Sequence, residues 1–388
     1  MSELAVESLG PKPDPVEEAC NAASQPSTDV YTNPRESSSR MGLEARAYAY
    51  RTGASIAFGM GNMASPAVPS PHKTIYLPST LSKNKLLRTK SASSSSIPNL
   101  LTPQADPRSR RPAVINFHGG GFVLGQGTDD GRWVMAVMQA LGAVVFSIDY
   151  RLAPSYPFPT PTEDCADAIL QIWRRADEFW IDPDKIILSG FSAGGTLALS
   201  SWVLLADHKR WGYDIKAEAH LAHPSVPHPA GLMLYYPLLD WTQSRPSKRL
   251  TCARPDLTLS RTLTDLFDAS YLYPYDEVKA QLQNPLLSPG LMPDDLIDRL
   301  PPVQLCLCEH DMLLAEGRRF HERLVKRGKQ VGVREVEGAR HAWDKPNGLL
   351  YSPPESMGVE YGEAVRVMAD WIGREEGNGS AESSTQPT

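Results

Sequence analysis

The chain has 388 residues, 41% of them hydrophobic, enough apolar material for one large core or two ordinary ones. Its formal net charge is −6, and no lysine- or arginine-rich run marks a surface for nucleic acid or anionic lipid. No run of about 18 uncharged apolar residues occurs, which argues against a membrane span. Five scattered cysteines (Cys20, Cys165, Cys252, Cys306 and Cys308) are a poor basis for a disulfide framework. The opening residues, MSELAVESLG, lack the apolar segment of a signal peptide, so a soluble cytoplasmic protein is expected.

Residues 1–40 are rich in Ser, Pro, Asn and Glu without apolar periodicity and read as a disordered tail. Residues 41–62 are partly apolar and predict a helix before Gly59 and Gly61. KTIYLPS predicts a short strand, and the basic, serine-rich stretch 83–111 predicts a flexible surface loop. From Pro112 onward the pattern changes to short apolar runs alternating with helix-length segments. Strands are expected over 113–117, 143–150, 185–190, 230–237, 302–309 and 331–337. Helices are expected over 129–142, 162–179 (with Thr162 as N-cap), 194–210, 315–328 and 358–374. Near-continuous apolar strands separated by helices indicate an α/β fold, a mostly parallel central sheet covered by helices on both faces. Cys306 and Cys308, two apart on one strand, would face the same side and pack in the core. Residues 241–300 are Pro-rich and irregular with helical patches such as SRTLTDLFDASYL, too long for a plain connection, and predict a lid. The main domain would thus run over 41–374, and 375–388, which hold the sequon Asn378-Gly379-Ser380, read as a second disordered tail.

Gly190-Phe191-Ser192-Ala193-Gly194 fits G-x-S-x-G, with a strand before it and a helix after it. Glycines two positions either side of the serine permit the sharp turn that exposes a hydroxyl at a helix N-terminus. A serine hydroxyl needs a base. His341 follows the strand VGVREVE, and Asp311 follows PVQLCLC, so both fall at carboxyl ends of strands where they would converge on Ser192. Ser192 is then the nucleophile, His341 the base and Asp311 the group that holds its tautomer. Glu309 and Asp240 are weaker alternatives for the acid, His310 is a neighbour of the site, and Asp344 reads as a surface charge. His220, His223 and His228 read as a solvated loop, not a metal site. His118-Gly119-Gly120-Gly121 directly follows a strand, where backbone N–H groups of Gly119 and Gly120, with that of Ala193, would form an oxyanion hole.

HGGGF (118–122), DYRLAP (149–154) with YPFP (156–159), GFSAGG (190–195), the Asp311 segment and His341 occur in one order, and over about 112–372 the chain resembles the hormone-sensitive lipase family of esterases. The resemblance implies an α/β-hydrolase fold, ester hydrolysis through an acyl-enzyme, no cofactor, a small-molecule ester substrate, and a helical cap built here from 41–62 and 241–300. It also implies a structural role for Asp149 and Arg151 in tying down a strand end. Phe191, Ser155 and Ala342-Trp343 depart from the residues that many members carry. The expected function is hydrolysis of short- to medium-chain acyl esters, with an amidase, lactonase or deacetylase using the same groups as the alternative. A non-catalytic ligand-binding member of the fold would typically lack the base, which is present here.

Overall fold

The computed structural model describes residues 39–63, 71–81, 88–94, 110–215, 226–345 and 352–378. Both predicted tails (apart from their inner ends), most of the serine-rich stretch, Cys20, His220 and His223 lie outside the described residues. The first helix, α1 (Arg40–Met63), runs through Gly59 and Gly61 instead of ending before them. Among the described residues eight strands form one sheet: β1 (Lys73–Pro78), β2 (Arg88–Ser94), β3 (Arg111–Phe117), β4 (Val144–Asp149), β5 (Ile181–Phe191), β6 (Gly231–Tyr235), β7 (Val303–His310) and β8 (Val331–Arg340), in the order β1-β2-β4-β3-β5-β6-β7-β8. β3 through β8 are mutually parallel, and β2 at one edge pairs antiparallel with both β4 and β1. Strand β2 corrects the reading of 83–111 as loop throughout. Its serine-rich composition is a weak strand former, but its backbone pairs with β1 on one side and β4 on the other.

The parallel strands are apolar at nearly every position because helices cover both faces. Their residues divide by parity. Val114, Val145, Ile187, Met233, Cys306 and Cys308 face one side, packing against Trp133 and Val137 of α2 (Gly131–Leu141) and Val365 and Met368 of α9 (Glu355–Asn378). Ile115, Phe146, Leu188, Leu234 and Leu305 face the other, against Ile169 of α3 (Thr160–Arg174), Leu197 of α4 (Ala193–Ala206) and Phe320 of α8 (Leu314–Lys326). Helix α2 stops at Gly142, whose left-handed backbone (φ 61°) lets its N–H donate to Met138 O at 3.1 Å. Helix α3 starts two residues before the expected cap Thr162. Pro161 sits in its first turn, where a missing N–H costs nothing, and the helix breaks at Arg175.

Between β6 and β7 lie α5 (Arg245–Leu250), α6 (Arg261–Tyr271) and α7 (Asp294–Arg299). Buried charge pairs hold this insertion: Arg245 joins α5 to Asp268 of α6 at 2.9 Å, and Lys248 ties α5 to Glu316 of α8. Glu316 Oε1 also accepts the Leu239 N–H at 2.9 Å. Helix α1 joins the insertion through Leu43 against Leu266 and Ala269 of α6. Its Arg51 donates to the carbonyls of Val123 and Ala153, both at 2.7 Å.

Candidate active site

Ser192 sits between β5 and α4 with φ 53° and ψ −118°, a left-handed backbone that a serine rarely adopts. Two hydrogen bonds hold the turn: the Ser192 N–H donates to Tyr235 O at 2.9 Å and the Thr196 N–H to Ser192 O at 3.0 Å. The glycine requirement is steric. A methyl on Gly194 would run into the carbonyl oxygen of Phe117, and one on Gly190 into that of Gly194. The strand and the helix can approach this closely only without those side chains.

The Ser192 hydroxyl lies 2.8 Å from His341 Nε2, placed to donate to it. On the other side of the ring the Nδ1–H donates to Asp311 Oδ2 at 2.5 Å. A carboxylate can only accept there, so this contact leaves Nε2 as the lone-pair nitrogen facing the serine. Asp311 is buried, and its Oδ1 accepts the Leu313 N–H at 3.1 Å. Asp240 is not brought to the histidine: its Oδ1 is occupied by the N–H and hydroxyl of Thr242. Glu309 faces away as well and accepts the Gly338 N–H at 2.6 Å. His310 ends β7 beside the site, and His228, the one described member of the histidine-rich loop, is exposed.

Gly119 abuts the nucleophile turn, close to Phe191 O and Ser192 Cβ. Its loop is braced by the N–H groups of Val123 and Leu124 donating to Gly120 O at 3.1 and 2.8 Å. The His118 ring stacks on Tyr150 at 4.3 Å, and the Tyr150 hydroxyl donates to His118 O at 2.8 Å. Gly119, Gly120 and Ser192 border a common cavity, while Ala193 borders a narrow recess beside it, also reached by Ser192. The DYRLAP segment ties down its strand end as expected. Arg151 forms a two-pronged pair with Asp164 (2.8 and 2.6 Å), and the Gly127 N–H donates to Asp149.

Asp344 is not a surface charge. It is buried, accepts the hydroxyls of Tyr236 and Tyr361 at 2.5 and 2.6 Å, and pairs with Lys345 at 2.9 Å. Lys345 also meets Asp130 at 2.7 Å and stands 3.3 Å from the centre of the Phe191 ring. Asp130 in turn accepts from Asn116 at 2.7 Å. Burial alone would lower the Lys345 pKa, but Asp130 and Asp344 together raise it. This network joins the residue before Ser192 to the loop that carries His341, and Tyr236 presses edge-on against the His341 ring at 4.9 Å. No periodicity or motif marks Lys345 or Asp130. Phe191 stacks on Tyr235 at 4.3 Å, and Trp343 donates to Ser356 Oγ at 3.1 Å. Ser155 meets α1, where its carbonyl accepts from Arg40 at 3.1 Å.

The cavity at Ser192 and His341 encloses about 820 Å³. Its walls include Ala54 and Phe58 of α1, Leu259 and Phe267 of the insertion, and Trp343. The recess measures about 20 Å³ and is closed by Leu238, Met312, Leu313 and Phe267. Asp129, on the glycine-loop side of the main cavity, has its pKa raised to about 6 by burial.

The chain is similar to an arylesterase of Saccharolobus solfataricus, with 33% identity over 236 residues covering 61% of this chain and 69% of that protein. It is 28% identical over 244 residues to an AB hydrolase superfamily protein of Schizosaccharomyces pombe, spanning 64% of that protein's length. Among solved structures, an esterase of Pyrobaculum calidifontis superposes with a TM-score of 0.63 at 24% identity, over 86% of this chain and 94% of that one, a likeness of fold. The sheet order, the helices on both faces and a match of residues 114–345 to the model for the alpha/beta hydrolase fold agree, and the chain belongs to that family.

Proposed function

We propose that this protein is a serine carboxylesterase that hydrolyses short- to medium-chain acyl esters through an acyl-enzyme. The observation that carries this reading is the unbroken line from Ser192 Oγ through the His341 ring to Asp311, with Ser192 and His341 lining a cavity. The names of related proteins, an arylesterase and a carboxylesterase of Mycobacterium tuberculosis among them, support the same activity.

Ser192 Oγ attacks the ester carbonyl carbon while His341 Nε2 takes its proton. The carbonyl oxygen becomes an oxyanion and is met by the N–H groups of Gly119, Gly120 and Ala193. Asp311 holds the ring and offsets the charge of the imidazolium. Collapse breaks the bond to the alcohol, which leaves with the proton from Nε2. Water then attacks the acyl-enzyme by the same route in reverse, releasing the acid and restoring Ser192. The small recess beside Ser192 suits a short acyl end, and the large cavity suits the alcohol and any longer acyl chain.

The finer placement in the hormone-sensitive lipase family rests on HGGGF, DYRLAP and GFSAGG in order. In that reading α1 and the insertion at 241–300 are the cap. A cytoplasmic location is supported by four buried cysteines that are free thiols, Cys165, Cys252, Cys306 and Cys308. Among the described residues no helix is long and apolar enough to cross a membrane.

The test is turnover of p-nitrophenyl acetate and butyrate by wild type and Ser192→Ala, with fluorophosphonate labelling of the same pair. Wild type is expected to turn over and to label, and Ser192→Ala to do neither. Equal turnover by the variant would overturn the assignment.

A further inference from the structure

We infer that the cavity beside Ser192 is adapted to esters of amine-bearing alcohols, with Asp129 as the residue that receives the protonated amine. This deepens the esterase reading and rests on it.

Asp129 lines the same cavity as Ser192 and His341, next to Gly120, Leu124 and Gly125. Its wall is largely apolar, so a charge there is poorly screened. The Asp129 carboxylate accepts the backbone N–H of Gln126 at 3.1 Å and is also bonded by the Gln126 side chain. Among the described residues no lysine or arginine lies within ion-pairing distance of it. Among the described residues two cations border the cavity, Lys345 and Arg340: Lys345 stands between Asp130 and Asp344 and satisfies those two carboxylates, and Arg340 makes no ion pair with Asp129. Burial disfavours the Asp129 charge, and neighbouring Asp130 adds to that, while His118 works against it. A carboxylate that no described cation pairs with, in a largely apolar wall, is a binding site for a cation. Its place suits the alcohol part of the substrate, since Asp129 borders the large cavity and not the recess for a small acyl group, which Leu238, Met312 and Leu313 line.

A turn-forming role for Asp129 makes a different prediction. Its side chain and backbone both bond Gln126, with the Asp129 N–H donating to Gln126 O at 3.0 Å. Asparagine keeps an acceptor for the Gln126 N–H and removes only the charge.

The experiment compares kcat/KM for dimethylaminopropyl acetate, cationic at neutral pH, and its neutral carbon isostere isohexyl acetate. It does so in wild type, Asp129→Asn, Asp129→Glu and Ser192→Ala, by pH-stat. A charge-assisted contact implies a cationic-to-neutral ratio that falls about tenfold or more in Asp129→Asn and is kept in Asp129→Glu. A ratio within about twofold of wild type in Asp129→Asn, with both hydrolyses dependent on Ser192, overturns the amine site and leaves the esterase reading standing. Hydrolysis of both esters by Ser192→Ala at the wild-type rate overturns the two together.

Discussion

Replacing Lys345 with methionine tests whether the charge network behind the nucleophile holds the fold together. The lysine side chain is 12% exposed and its two partner carboxylates are fully buried. Removing the cation leaves Asp130 and Asp344 inside the protein without a countercharge, a change that typically costs about 3–5 kcal/mol. Two features lower the figure. Asp344 keeps the hydroxyls of Tyr236 and Tyr361, and Asp130 keeps Asn116. One feature raises it, the contact with the Phe191 ring, worth about 1 kcal/mol. A loss of about 3–4 kcal/mol is expected, a large share of the stability of an ordinary domain. Urea unfolding at neutral pH, followed by circular dichroism, measures it. The double variant Lys345→Met with Asp130→Asn should recover part of the loss, because one stranded charge is gone. The raised lysine pKa fixes the pH window. Its contribution is fully present below the unfolded value of about 10.4 and is lost as pH rises through the higher folded value, so the gap between wild type and variant should be flat from neutral pH to about 9. A loss below about 1 kcal/mol, or a double variant no more stable than the single, would refute the reasoning.

Asp311→Asn should lower kcat by roughly four orders of magnitude with little change in fold, as expected when a histidine loses the carboxylate that sets its tautomer, and stopped-flow acylation would show it. Gly194→Ala should destabilise by about 3 kcal/mol although alanine is the better helix former, because its methyl meets the Phe117 carbonyl; thermal unfolding checks the sign. Phe267→Ala opens the recess beside Ser192 and should raise the kcat/KM ratio of octanoate to acetate esters about tenfold, and an unchanged ratio would remove the recess from acyl selection. Asp129 carries a folded pKa of about 6, above its unfolded value, so its charge costs stability above pH 6 and that cost disappears as pH falls below about 4. Asp129→Asn should therefore be more stable than wild type by up to ~3 kcal/mol at pH 8, and equal to it at pH 4.

The parts of the site that were legible in the sequence are those set by strand ends and glycines. Ser192, Asp311 and His341 each follow a predicted strand, and a parallel sheet delivers such positions to one edge. Cys306 and Cys308 were legible for a related reason, since parity along a strand decides the face. Strand β2 was not, because ladder bonds to two neighbours override a poor composition and leave no pattern in the side chains. Asp344 was misread because a lone aspartate is exposed by default. Its burial depends on hydroxyls from Tyr236 and Tyr361, which come from β6's end and α9. Asp129 and Asp130 sit side by side, yet one finds a lysine from the far end of the domain and the other does not, a distinction no local window contains.

The serine and the histidine that meet at 2.8 Å are 149 positions apart along the chain, and the strands that present them are separated by two others in the sheet. Such contacts form only after a long loop has closed, so they are late and entropically costly events. The hydroxyl–imidazole distance is therefore a gauge of assembly. During refolding, helical signal should return before labelling of Ser192 by a fluorophosphonate, and the lag between them times the docking of β7 and β8 onto the rest of the sheet.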